Sequence, residues 1–215
     1  TNFNIIDFKE IKAENLNFAY TNEIVLRNNN FTVERGTITA VTGRSGSGKS
    51  TLFKLLLGLY EPTDGSITAV TDSGEFSIDA STRALFAYVP QGNLVLSGTV
   101  AENIKFGNPE ISDELMIKAA ETACLDEFIS TLPDCYNTLL GERGLGLSEG
   151  QVQRIAIARA LLSDAPILLL DECTSALDEA TERKLLDNLA ALSTKTVLFI
   201  SHRNTSLSIC DTHIR

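Results

Sequence analysis

Gly43-Arg44-Ser45-Gly46-Ser47-Gly48-Lys49-Ser50 narrows the folds open to this chain more than any other stretch. A short β-rich apolar run, Thr37 to Val41, leads into it. Behind it, Leu52, Phe53, Leu55, Leu56 and Leu59 recur at helical spacing within Lys49 to Leu59. Strand, G-x-x-x-x-G-K-S, helix is the context in which such a loop wraps phosphate. The glycines let consecutive backbone N–H groups turn inward, and the helix adds its N-terminal partial positive charge. Lys49 is placed to reach the β- and γ-phosphates, and Ser50 to offer its hydroxyl to Mg²⁺.

The rest of the chain reads as the α/β frame that such a loop requires. Residues 11 to 43 read as short strands, Glu61 to Gly65 as a turn, and Ser66 to Val70 and Leu85 to Val89 as strands. From Thr99 to Ser163 the pattern is helical, broken by loops at Asn108-Pro109, Pro133-Asp134 and Gly141 to Gly146. Ile167 to Leu170 and Thr196 to Ile200 are continuous apolar runs, which suit parallel strands buried on both faces. Asp178 to Leu192 between them reads as a helix. The sum is an α/β core with an inserted helical lobe. Asp171 and Glu172 close the first of the two apolar runs, at the strand edge where α/β sheets bind ligands. Asp171 suits a water-mediated contact to Mg²⁺, and Glu172 suits orientation or deprotonation of an attacking water.

The net charge of −10 argues against nucleic acid as the partner, since phosphate backbones reward basic surfaces. A local nest of N–H groups still binds phosphate on an acidic protein. Cys124, Cys135, Cys173 and Cys210 show no C-x-x-C spacing and read as reduced, buried thiols. A count of two histidines argues against a histidine-based metal site. No apolar run approaches the roughly 18 residues that span a bilayer. A start at Thr1 and a stop at Arg215, just after an apparent strand start, read as a piece of something longer.

Leu147-Ser148-Glu149-Gly150-Gln151-Val152-Gln153-Arg154 lies between the loop and the carboxylates. Ser148 and Gln151 stand at capping-box spacing, ahead of an apolar helix through Val152, Ile155, Ala156, Ala158 and Leu162. An ordinary capped helix explains this. An exposed helix N-terminus is also an anion site, open to a phosphate on another molecule.

Together these motifs resemble the nucleotide-binding domain of ABC transporters, over nearly the whole chain and in the family's order. Gly43 to Thr51 resembles Walker A and Ile167 to Glu172 Walker B; LSEGQ at 147–151 resembles the signature LSGGQ. Gln91 stands at the Q-loop glutamine, a Mg²⁺ and water contact. Ser175 to Asp178 stands at the D-loop, His202 at the switch histidine that contacts the γ-phosphate, and Tyr20 at the aromatic that stacks on adenine. Gly98 to Ile104 and Leu140 to Gly144 resemble segments of exporter-type domains. Glu149 departs from the family by replacing a glycine, with its side chain expected to point away from nucleotide. Cys173 replaces a common alanine, and Thr71 to Ala84 fits exporter sequences poorly.

The resemblance implies a P-loop NTPase core with a mostly parallel sheet, an N-terminal antiparallel β subdomain and an inserted α-helical subdomain. Residues 1–91 and 164–215 would form the β subdomain and core, and 92–163 the helical part. It further implies an ATP hydrolase that powers export by ATP-driven head-to-tail dimerisation. The ATP contacts would be Tyr20, Gly43, Arg44, Ser45, Gly46, Ser47, Gly48, Lys49, Ser50, Thr51 and Gln91. Mg²⁺ would meet Ser50, Gln91 and Asp171, and catalysis would rest on Glu172, His202 and Lys49. Ser148, Glu149, Gly150 and Gln151 would close over ATP held by a second nucleotide-binding domain, with Asp178 in the D-loop. That partner is either an identical chain or a paired half-transporter. A transmembrane domain fused N-terminally is expected, which sets a soluble domain at the cytoplasmic face of a membrane (the inner membrane if bacterial). Two other readings stand beside this one: a soluble ABC-type ATPase of translation or DNA repair, and a non-catalytic nucleotide-binding regulator.

Overall fold

The computed structural model describes residues 7–92, 95–141, 146–201 and 208–214. In chain order the strands are β1 (Phe8–Tyr20), β2 (Glu23–Glu34), β3 (Ile38–Val41), β4 (Asp64–Thr71), β5 (Gly74–Ser77), β6 (Phe86–Val89), β7 (Gly98–Thr99), β8 (Leu139–Leu140), β9 (Ile167–Asp171), β10 (Thr196–Ile200) and β11 (Thr212–Ile214). The α-helices are α1 (Lys49–Leu56), α2 (Val100–Ile104), α3 (Asp113–Thr122), α4 (Asp126–Ser130), α5 (Glu149–Leu161) and α6 (Glu179–Ala190).

The central sheet is parallel, in the order β11-β3-β10-β9-β6. Every residue of β3, β9 and β10 is buried, as continuous apolar runs require. Side chains alternate across a strand, so each run feeds two cores. Leu168, Leu170, Val197 and Phe199 pack with the helices α2, α3, α5 and α6 on one face. Ile167, Leu169, Leu198 and Ile200 pack on the other face, against α1 and the antiparallel sheet β2-β1-β4-β5. The fold is the α/β arrangement expected, with a parallel and an antiparallel sheet.

Three local expectations need correction. Residues 11 to 43 are not all short strands: two long ones, β1 and β2, precede the short β3. β1 and β2 run 13 and 12 residues, and register shifts between Ala13 and Ala19 interrupt their pairing. Asn15 (φ 49°) and Asn28 (φ 46°) take left-handed backbone at these irregularities. Such bulges break the period-2 pattern from which strands are read. The stretch from Thr99 to Ser163 is not helical and loop alone, because β8 pairs there with β7. Of the four thiols, all free, Cys135 is exposed and Cys210 half-buried; only Cys124 and Cys173 are buried. Among the described residues no helix is long and apolar enough to cross a membrane.

Candidate nucleotide site

β3 ends at Val41, and the chain turns through the glycine loop into α1. Gly48 caps the helix in left-handed backbone (φ 91°), with no side-chain cap. A Cβ here would come within 2.6 Å of Val25 Cγ1, so the position needs glycine for conformation and for space. Gly48 has no side chain to accept from the first-turn N–H groups of α1, and a helix end so built is the arrangement that receives an anion. Lys49 is only 7% exposed. Its ammonium spans the loop, donating to the carbonyls of Gly43 (3.1 Å) and Arg44 (3.0 Å).

A cavity of about 430 Å³ opens over this helix end. Tyr20, Ser45, Gly46, Gly48, Lys49, Ser50, Thr51, Gln91 and Glu172 line it, with Glu23 and Val25. Gly43 and Ser47 line an adjoining cavity of about 290 Å³ between the loop and β2. Tyr20 stands at the rim, its hydroxyl 3.2 Å from Thr51 Oγ1 and its ring edge-on to Phe18 and Tyr60.

Asp171 ends β9, is 5% exposed, and faces α1. Ser50 Oγ donates to its Oδ1 at 3.1 Å, and the Tyr88 hydroxyl donates to its Oδ2 at 2.9 Å. A buried carboxylate whose oxygens meet two neutral hydroxyls is a hard-oxygen set, which fits a divalent cation such as Mg²⁺. Glu172 follows in left-handed backbone (φ 52°), a strained conformation for a glutamate that turns the chain sharply out of the strand. Gln91 Nε2 reaches Glu172 Oε2 at 3.4 Å. Behind them Cys173 is fully enclosed, and burial pushes its thiol far above its ordinary pKa, so it stays protonated.

Ser148 to Gln151 are not among the described residues lining this cavity. Ser148 is the N-cap of α5, and Gln151 reciprocates. Its N–H donates to Ser148 Oγ (3.2 Å), and its Oε1 accepts from Ser148 N (2.8 Å). Glu149 turns toward the second turn of the helix, where Gln153 Nε2 lies 3.4 Å from its Oε1. Gly150 packs against the loop after β9; a Cβ here would stand 3.0 Å from Leu177 Cδ2 and 3.2 Å from the Ala176 carbonyl. Asp178 caps α6, accepting from Thr181 N (2.9 Å) and Oγ1 (2.7 Å), and these bonds hold its carboxyl below the usual range. His202 lies outside the described residues.

Three contributors are not legible in the sequence. Tyr88 is there one aromatic in a strand. Asn103, 2% exposed, ties Leu96 and Thr99 to the start of α2, and its carbonyl accepts from Arg159 at 2.7 Å. Gln153 is also 2% exposed. It contacts Ser175 Oγ and accepts from Ala176 N, each at 3.4 Å, and so joins α5 to the loop after Glu172. The available signal for Gln153 was a polar residue one turn from Glu149 on an otherwise apolar helix face.

A family model described as ABC transporter matches residues 26–175. The chain is 41% identical over 206 residues to a probable ABC transporter ATP-binding/permease protein of Haemophilus influenzae, covering 95% of this chain and 37% of that protein. It is 42% identical over 207 residues to the mitochondrial iron-sulfur clusters transporter ATM1 of Candida glabrata, covering 94% of this chain and 28% of that protein. Among solved structures, a bacterial Atm1-family ABC exporter with ATP bound superimposes with a TM-score of 0.85 at 35% identity. The match covers 98% of this chain and 39% of that one. The chain thus spans well under half the length of these relatives.

Proposed function

The chain belongs to the ABC transporter family as an ATP-binding domain, and from that premise we propose that it hydrolyses ATP to drive export, working as a head-to-tail pair. The observation that carries this reading is the convergence of Lys49, Ser50, Thr51, Gln91 and Glu172 on one cavity at the mouth of a glycine loop. The triphosphate lies on the N–H groups of the loop and of α1, and Lys49 meets the β- and γ-phosphates. Tyr20 stacks on the adenine. Ser50, Asp171 and Gln91 would hold Mg²⁺, which when bound would neutralise phosphate charge. Glu172 takes a proton from water as the water oxygen bonds to the γ-phosphorus. The bond to the β–γ bridging oxygen breaks, and the products are ADP and inorganic phosphate. Gln91, within reach of Glu172, orients that carboxylate. His202, placed by its motif alone, would stabilise the transferring phosphoryl group.

The separation of Ser148 to Gln151 from the chain's own cavity supports a second copy as the source of the covering helix end. Closing two copies then completes two sites and excludes water from them. An attached membrane domain would turn closure and reopening into substrate movement at the cytoplasmic face, and would choose the substrate. The identities of the relatives motivate this assignment. Glu172→Gln is the test: ATP binding persists while turnover falls by about 10²–10⁴-fold, the usual contribution of a general base. Normal turnover in that variant removes Glu172 from the chemistry.

A further inference from the structure

Tyr88 has no role in the mechanism above, yet its hydroxyl makes the 2.9 Å hydrogen bond to Asp171. Its placement follows from the sheet. β6 and β9 are parallel neighbours in which Tyr88 pairs with Leu169. Side chains alternate, so Leu169 and Asp171 share a face, and Asp171 is the next residue along it toward the C-terminal edge. Tyr88 therefore reaches diagonally from the neighbouring strand. α1 covers the same face and brings Ser50 to the other oxygen. The carboxylate is gripped from two sides, one oxygen by each hydroxyl. The Tyr88 ring is itself braced edge-on against Phe53 of α1, at 6.4 Å between centroids.

We propose that Tyr88 is a positioning residue for the divalent cation of the site: by donating to Oδ2 of Asp171 it fixes the carboxylate plane, so that Oδ1 faces Ser50. This rests on the reading of Ser50 and Asp171 as the cation-holding pair. Tyr88 also stands three residues before Gln91, so one short segment carries both a brace for the metal carboxylate and the glutamine that reaches Glu172.

Binding of a fluorescent ATP analogue, titrated with Mg²⁺ from a metal-free start, tests this on the wild-type chain and on Tyr88→Phe, Ser50→Ala and Asp171→Asn. Tyr88→Phe keeps the ring and should leave metal-free nucleotide affinity unchanged. The Mg²⁺ concentration for half-maximal response should rise about tenfold, the low end of the range for partners that orient a metal ligand. Ser50→Ala and Asp171→Asn should raise it as well. Tyr88→Phe should add nothing in an Asp171→Asn background, because it acts through that carboxylate. If Ser50→Ala and Asp171→Asn shift the Mg²⁺ dependence and Tyr88→Phe does not, or tightens it, the role given to Tyr88 is wrong. If none of the three shifts it, the cation-holding pair itself is wrong. Tyr88→Leu gives the same readout should Tyr88→Phe fail to fold.

Discussion

α1 and α5 both begin at glycine-bearing motifs that face nucleotide in the proposed assembly, yet their N-termini are built in opposite ways. α1 starts at a left-handed glycine, has no side-chain cap and carries no acidic residue in its first turn. α5 starts at Ser148, with a reciprocal capping box to Gln151 and an acidic Glu149 in its first turn. The first helix end is unfinished as protein: Gly48 gives it no side-chain cap, and Lys49 donates to loop carbonyls. The second is finished as protein, its cap supplied by Ser148 and Gln151. A binding loop and a preformed cover call for different termini, and the chain has one of each.

That contrast predicts unequal sensitivities. The largest effect belongs to the unfinished end. Lys49→Ala removes the charge that bridges loop and phosphates, and turnover should fall by about 10²–10³-fold, as for other lost transition-state donors. ATP binding measured by equilibrium titration should weaken with it, and retention of both would mean that the loop acts without its lysine. An intermediate effect belongs to the anchor of the finished end. Gln153→Leu removes the acceptor of the Ala176 N–H and should cost about 0.5–1.5 kcal/mol in urea unfolding, the net worth of an ordinary hydrogen bond. Unchanged stability would show that the 3.4 Å contacts of Gln153 carry no weight. The smallest effect falls on Glu149, whose side chain lies along α5 over Gln153. Glu149→Gly should lose only about 0.3–1 kcal/mol of helix-dipole stabilisation and leave turnover nearly unchanged. A large gain in ATPase rate would place that carboxylate against phosphate instead.

The same contrast explains what was legible in the sequence. Local devices were: the loop and its helix, the Ser148–Gln151 box, and the apolar runs of β9 and β10 each announce themselves within a few residues. Non-local ones were not. The pairing of β1 with β2 is hidden because bulges near Asn15 scramble the alternation. β7 and β8 are two-residue strands that exist only by pairing across 40 positions, and β11 has three residues held by β3. Tyr88 gains its role from a carboxylate 83 positions away. Glu172 was readable as an acid after a strand, but its left-handed backbone was not, since glutamate has no preference for it.

The central claim is that the capped end of α5 serves the unfinished end of α1 in another copy. The direct measurement is ATPase activity on mixing two inactive variants, Lys49→Ala and Ser148→Arg, each shown to be folded. Alone, each pair has a defect in both of its composite sites. In a mixed pair, the intact loop of the Ser148→Arg chain meets the intact helix end of the Lys49→Ala chain, so one site is whole. Activity should return on mixing and peak near equal amounts. No recovery at any ratio, with both variants still associating, would contradict that claim.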